Sequence, residues 1–456
     1  MGFEKRDARQ YNSNVLIRAR KAQSKVLRRH LTMKNTQNEK ILQIKNETLV
    51  VGIDIGKETH YARAFDHRGL EQAKLLRFSN TAQGYETLET WMQSIMQQKE
   101  KTEAIVGFEP TGHYWFTLGD YLKRKGYKLG IVNPFHVKCT RELDDNSQTK
   151  SDRKDPKTIA MLLKDGRYRD VYIPADLYQE LREAVSERER LQEQIIGISN
   201  QVIRWLDIRF PEFTSIFKDW SAKTAMATLK HVPTPAKVAA AGAEGVLKIW
   251  QENLKRSSLK KAERLVRVAV ESIGRTAGSE AAEVALMNLL LQYELITTQR
   301  QQLEELMAEL MLRVPHAGKL LEIKGVGMMT AAVIISEIGD ISRFQDPRQI
   351  LKMAGLSLKE NSSGKHKGKT TISKRGRRRL REGLFRVMIP ILATNEEFRA
   401  IHHRNLTREK NPLNKMQSII ALCGKLVRVL YALLTKGCTY DAAKMTQDRN
   451  RSMKAA

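Results

Sequence analysis

The feature that most constrains this chain is an apolar run of the kind strands use when both faces are covered, carrying a carboxylate at its end. Residues 48–55 read TLVVGIDI and residues 103–109 read EAIVGFE. Short apolar runs bounded by Gly and Pro are typical of strands buried in α/β layers. A lone carboxylate in such a place costs several kcal/mol unless something compensates it. Asp54 and Glu109 are therefore candidates for function, and Pro110-Thr111-Gly112 ends the second run and turns the chain beside Glu109. A second pair, Asp152 and Asp155 in KSDRKDPKTIAMLL, stands three residues apart at the start of a helical pattern, so one helical face can present both. Taken alone, these two read equally well as helix N-terminal acids favoured by the dipole. Four converging acids repel one another and are stable together only with cations between them. Oxygen ligands suit hard ions, Mg2+ or Mn2+.

The surrounding pattern alternates. TLVVGIDIG, HYARAFD and AKLLRFS read as three strands. A helix over 82–98 follows, then strand EAIVGFE, a helix over 114–124, strand KLGIVNP, helices over 135–143 and 156–163, and the short run DVYIP. Three antiparallel strands followed by β-α-β units is the layout of the ribonuclease-H/RuvC-like α/β fold, which we assign to residues 46–176. Residues 1–45 carry 12 Lys/Arg against 3 Asp/Glu and read as a mobile basic arm, within which Met33 is an alternative start.

Residues 177–316 read as helical. Leu181, Ala184, Arg188, Leu191, Ile195, Ile198, Val202 and Trp205 follow a 3-4 spacing, as do Leu286, Leu289, Tyr293, Ile296, Arg300, Leu303, Met307, Leu310 and Val314. Sustained heptads predict coiled-coil helices, with two core helices of one bundle as the plainer reading. Between them, residues 211–280 look helical and polar and carry no motif. Residues 317–435 form a mainly α C-terminal domain, and 436–456 a tail. This domain opens with a helix-hairpin-helix-like element around Gly325-Val326-Gly327. Its glycines allow close backbone approach, and the exposed amides of the second helix can hold a DNA phosphate. A plain Gly turn between packed helices fits the same residues.

A net charge of +28 points to a polyanion partner, because the excess is clustered. Lys359–Glu382 alone holds ten Lys/Arg and two Glu. Lys365, Lys367, Lys374, Arg375, Arg377, Arg378 and Arg379 are the expected nucleic-acid contacts, with Gly325 and Gly327. Cys139, Cys423 and Cys438 share no close spacing, which argues against a zinc site or disulfide framework and fits a reducing cytoplasm. No uninterrupted apolar run reaches the length of a membrane span, so no membrane partner is expected. Acids gathered in a basic protein suggest two-metal phosphodiester chemistry on a nucleic acid.

Ser362-Ser363-Gly364, beside Lys365, His366 and Lys367, is either a nucleophile in a cationic setting or part of a basic loop that only neutralises phosphates. Spacing assigns no base to either serine. The ordered set Asp54, Glu109-Pro110-Thr111-Gly112, Asn133-Pro134, Lys150-Ser151-Asp152-Arg153-Lys154-Asp155, Gly325-Val326-Gly327, Gly339-Asp340, Gly355-Leu356, Ser362-Ser363-Gly364, residues 372–376 (ISKRG) and Leu380-Arg381 resembles the IS110/IS1111 family of insertion-sequence transposases over roughly residues 48–390. The resemblance implies a RuvC-like domain with an Asp-Glu-Asp-Asp tetrad at Asp54, Glu109, Asp152 and Asp155, a coiled-coil segment, and a C-terminal transposase domain with a catalytic serine. That serine is Ser363, with Ser362 as the fallback. The resemblance further implies recombination of donor and target DNA directed by a structured guide RNA, through a homo-oligomer, a dimer or a tetramer, acting in the prokaryotic cytoplasm at the nucleoid. Ser151 and Pro156 depart from the family's usual Thr and Ala, and neither change removes a ligand. Two rivals fit many of the same residues. One is a RuvC-type structure-specific endonuclease that uses metal-activated water. The other is a non-catalytic nucleic-acid scaffold, against which the presence of all four acids speaks.

Overall fold

The computed structural model describes residues 36–110, 112–145, 154–172, 176–253, 258–359, 362–363, 366–367 and 370–445 of the chain. The backbone separates into two compact units, Met1–Ile173 and Pro174–Ala456.

The first unit opens with a short helix, α1 (Thr36–Leu42), and then forms a six-stranded sheet. The strands are β1 (Thr48–Asp54), β2 (Thr59–Phe65), β3 (Leu76–Ser79), β4 (Glu103–Phe108), β5 (Lys128–Val132) and β6 (Tyr168–Asp170). Helix α2 (Ala82–Gln98) links β3 to β4, and α3 (Trp115–Arg124) links β4 to β5. Helices α4 (Pro134–Asp145) and α5 (Asp155–Lys164) precede β6. The strand order is β3-β2-β1-β4-β5-β6. The first three strands are antiparallel, β1, β4 and β5 are parallel, and β6 returns antiparallel. This mixed sheet is compatible with the α/β class expected from the sequence.

Helices cover both faces, which is why β1 reads as an unbroken apolar run. Leu49, Val51 and Ile53 pack with Leu88 and Met92 of α2 and Leu118 and Leu122 of α3. Val50, by the strand's period of two, faces the other way, onto Ile159 and Leu163 of α5. A row of glycines seats α5. Gly52 pairs with Gly107, and Gly107 with Gly130, across three parallel strands. A Cβ at Gly52 would lie 2.0 Å from the Pro156 carbonyl oxygen, and one at Gly107 would lie 2.3 Å from Leu163 Cδ1. The helix backbone thus approaches the sheet more closely than any side chain would permit.

Two local readings shift. The edge strand is Tyr168–Asp170 rather than the DVYIP run, because burial of the Tyr168 ring in the α5-side core anchors that segment. The end of the basic arm is helical, and α1 docks beside β6. Gln37 donates to the Asp165 carbonyl at 2.9 Å, and Lys40 donates to the Tyr168 carbonyl at 2.9 Å, pairs with Asp170 at 3.1 Å and lies 4.1 Å from the Tyr168 ring centroid. The rest of the arm, 1–35, lies outside the described residues.

The second unit is largely helical. Its elements are α6 (Asp176–Arg209), α7 (Phe213–Ile216), α8 (Lys223–His231), α9 (Pro235–Asn253), α10 (Leu259–Val270), α11 (Ser279–Arg313), a 3-10 turn (Ala317–Glu322), α12 (Met328–Ile338), a second 3-10 turn (Ile341–Arg343) and α13 (Pro347–Met353). Short strands β7 (Leu358–Lys359), β8 (Ser362–Ser363), β9 (His366–Lys367) and β10 (Thr371–Ile372) follow. The unit ends with α14 (Arg378–Thr394), α15 (Glu396–Thr407) and α16 (Lys415–Lys436).

The two heptad segments pair with each other as an antiparallel hairpin. Arg313 pairs with Glu180 at 3.6 Å, Arg188 with Glu304 at 2.8 Å, and Trp205 donates to the Ala282 carbonyl at 2.8 Å. Arg188 and Arg300, the polar exceptions in the two seams, are thereby explained: Arg188 bonds Glu304, and Arg300 bonds Gln192 at 2.9 Å. At one end the hairpin enters the core of the C-terminal helices, through Leu181, Ala184, Met307 and Leu310. At the other end it enters a second core that residues 211–280 complete with Phe213, Phe217, Trp220 and Trp250. That stretch looked polar because each of its short helices buries one face only and the apolar phase restarts at every turn between them.

In the Gly325-Val326-Gly327 element a 3-10 turn stands where a first α-helix was expected. Gly325 has φ +97°, and a Cβ there would lie 2.6 Å from the Ile391 nitrogen. Its glycine is required by packing against α14, whereas Gly327, the residue before α12, faces open space. Helix α16 is long and apolar enough to cross a bilayer by length and composition. Its Leu422, Leu426, Val427, Leu430 and Leu433 are instead buried in the C-terminal core.

Candidate active site

Strand register brings two of the expected acids together. Ile53 of β1 and Phe108 of β4 are parallel partners, so Asp54 and Glu109 follow at the same end of adjacent strands. Alternation puts Asp54 on the face of Val50 and Gly52, and Glu109 on the face of Ile105 and Gly107, which is the face α5 covers. Asp155 is the first residue of that helix and is only 2% exposed. The glycine row lets α5 lie low on the sheet, and this seats Asp155 in the same layer.

Asp155 Oδ2 accepts from Arg141 of α4 at 2.6 Å, and both side chains are largely buried. Sequence reasoning missed Arg141: one arginine ahead of the KSDRKD motif has no spacing signature. Its role is electrostatic, since a buried carboxylate needs a charged partner. Asp152 lies outside the described residues. Among the described residues, no three acidic, histidine or cysteine side chains form a ligand cluster by themselves. The carboxylates at this end of the sheet, from β1, the β4 end and α5, are oxygen groups of the type that would suit Mg2+ or Mn2+.

In the second unit the serine pair lies on a hairpin arm. The inner rung pairs Leu358–Lys359 with Thr371–Ile372, and the outer rung pairs Ser362 with Lys367 and Ser363 with His366. The arm's base is clamped. Gly355 (φ +69°) and Gly376 approach each other's backbone, the Lys374 amide donates to the Gly355 carbonyl at 2.9 Å, and Arg381 donates to the Ala354 carbonyl at 3.0 Å. Ser362, Ser363 and Lys367 are placed by backbone alone, and Lys365 lies outside the described residues.

The basic run after the arm divides by task. Lys374 and Arg375 are exposed. Arg378 pairs with Glu382 at 2.6 Å, and Arg379 with Glu189 at 2.9 Å. Arg377 is turned inward. It bonds the Glu337 backbone carbonyl and lies 3.4 Å from the Glu337 carboxylate, which is 4% exposed and 3.7 Å from Arg182. Burial, reinforced by the neighbouring Arg182, pulls the Arg377 guanidinium down to about 10, so it remains a cation at neutral pH.

Comparison with known proteins agrees with both halves of this layout. A family model described as Transposase, of the DEDD type of IS110, matches residues 51–211, and one described as Transposase IS116/IS110/IS902 family matches residues 317–403. The pilin gene-inverting protein of Moraxella lacunata is 24% identical over 400 residues, which cover 86% of this chain and 97% of the relative. An uncharacterized 43.6 kDa protein of insertion element IS110 from Streptomyces coelicolor is 22% identical over 300 residues, covering 65% of this chain and 73% of the relative. The transposase of insertion sequence element IS1111A from Coxiella burnetii is 31% identical over 121 residues, 26% of this chain and 32% of the relative. With one transposase model running from β1 through α6 and spanning Asp54, Glu109 and Asp155, and a second spanning the serine arm, this chain belongs to the IS110 family of transposases.

Proposed function

We propose that this transposase cuts and rejoins DNA through a covalent phosphoserine link, with Asp54, Glu109, Asp152 and Asp155 holding Mg2+ or Mn2+ and Ser363 as nucleophile. The observation that carries the reading is the parallel register that sets Asp54 beside Glu109 on the face covered by α5, with Asp155 at that helix's start. A divalent ion bound by these carboxylates supplies positive charge against a phosphate as it gains negative charge. The Ser363 oxygen forms a new P–O bond as one deoxyribose oxygen leaves, so the phosphodiester count is unchanged and rejoining needs no external energy. Clustered lysines and arginines hold the DNA backbone on both sides of the break. A structured guide RNA that selects donor and target sequences belongs to this proposal, as does a homo-oligomer. Exposed Val284, Leu291 and Leu295 of α11, spaced by seven and four, support self-association along the hairpin.

Ser363→Ala removes the attacking oxygen and no charge. With DNA and RNA made from the element's flanks, the variant is expected to bind normally and to form no protein–DNA adduct on denaturing gels. Normal cutting by Ser363→Ala with none by Ser362→Ala would move the nucleophile by one residue. Normal cutting by the double variant would refute the covalent step and favour metal-activated water.

A further inference from the structure

A cleft of about 650 Å³ opens at the carboxyl ends of β4 and β5, directly after Glu109. Pro110, Ile131 and Val132 give it an apolar lining, Arg167 and Arg169 give it a cationic one, and the His136 ring stands beside them. None of its lining residues is acidic. Arg167, the residue before β6, and Arg169 within it both line the cleft, and both are exposed. The carboxylates nearest in sequence are already engaged: Asp165 pairs with Lys164 at 2.8 Å and Asp170 with Lys40 at 3.1 Å. The two guanidinium charges are therefore available to an outside anion. Asn133 accepts from the Phe135 amide through Oδ1, which leaves its NH2 as a donor, and Gln37 donates to Asp165, which leaves its carbonyl as an acceptor.

An apolar floor, a donor, an acceptor and a pair of cations in a pocket of this size match one nucleotide. We propose that this cleft holds an unpaired nucleotide of the strand being processed, its base on Pro110 and Ile131 and its phosphate on Arg167 and Arg169. The proposal rests on the nucleic-acid reading above and adds the subsite beside Glu109. The nucleotide chemistry is common to DNA and RNA, so the test carries both.

The probes are fluorescein-labelled dT15 and rU15, titrated by anisotropy over a range of salt concentrations with the full-length protein. Each phosphate neutralised on a single strand contributes a slope of about −0.7 in log K against log salt. Arg167→Ala/Arg169→Ala is expected to make the slope shallower by about 0.7, from the one phosphate the pair holds. Lys99→Ala/Arg124→Ala removes the same charge at the opposite end of the strands, where α2 and α3 finish, and is expected to leave the slope unchanged. A shallower slope with dT15 supports the proposal, whereas an effect on rU15 alone would place the guide in the cleft and overturn its assignment to the processed strand. Equal changes in both double variants would mean that only net charge matters and would overturn the proposal, as would no change in the cleft variant. If wild-type protein binds neither probe with a salt-dependent slope, the nucleic-acid reading itself fails. A bound wild type with a silent cleft variant removes only the subsite.

Discussion

Replacing Gly52 by Ala tests whether the glycine row builds the catalytic layer. The added methyl would stand 2.0 Å from the Pro156 carbonyl oxygen and 2.7 Å from the Ala160 nitrogen, both backbone atoms that no rotamer change can move aside. Ordinary contact begins near 3.4 Å, so α5 must lift by about 1.4 Å at the residue after Asp155. Overpacking of this kind costs about 1–3 kcal/mol, which corresponds to a fall in melting temperature of about 5 °C. Misplacing a catalytic group by about 1 Å is worth roughly a hundredfold in rate. The expected result is a folded protein with a lower melting temperature by scanning fluorimetry and a roughly hundredfold slower appearance of the protein–DNA adduct. Gly197→Ala is the control. Its Cβ meets open space within α6, so it should gain stability by about 0.5–1 kcal/mol and keep full activity. A Gly52→Ala protein with wild-type melting and wild-type adduct formation would refute the argument that close helix approach positions Asp155.

Other outcomes follow from individual side chains. Asp54→Asn removes one charge from the proposed metal ligands without changing shape, so strand transfer in Mg2+ should be lost while the melting curve is retained; near-normal activity would remove Asp54 from that proposed set. Arg377→Ala leaves Glu337 buried with Arg182 as a more distant partner, so it should cost about 1–3 kcal/mol by urea titration. Arg375→Ala should instead leave stability alone and weaken DNA binding, and a reversal of the two effects would contradict the division of the basic run. Burial pushes the Cys423 thiol up to about 12, so it stays protonated at pH 8. Exposed Cys438 should therefore react with a disulfide reagent at once and Cys423 only after unfolding, as read by thiol counting with and without urea.

The first unit was legible because its information is local. β1 is covered on both faces, so its apolar run declares itself, and the acid that interrupts the run is conspicuous. What fixes the site is not local. The Arg141–Asp155 pair, the pairing of Gly52 with Gly107 and the docking of α1 all join residues whose partnership no short window records. Lys40 lies in a stretch whose charge count suggested a free arm, yet its partners Tyr168 and Asp170 stand about 130 positions away. The basic run from 374 to 379 misled in the opposite sense. Composition treats its arginines as equivalent, whereas the extended residue just before α14, Arg377, turns toward a buried carboxylate and Arg375 stays outside. The heptads of α6 and α11 could be read, but periodicity alone does not say that each finds its partner in the same chain.

That antiparallel pairing constrains how such a chain can change length over generations. Each long helix begins in one core and ends in the other, so the distance between the cores is spanned twice, once in each direction. A turn inserted into α6 alone would rotate and displace every seam residue beyond it against an unchanged α11, placing polar side chains opposite apolar ones. Only matched insertions or deletions, one in each helix at the same height and in whole heptads, keep both ends seated. The loops that join the short helices between 211 and 278 carry no such restriction. Length variation among homologues should therefore be correlated between the two long helices and independent in the loops at the hairpin's far end.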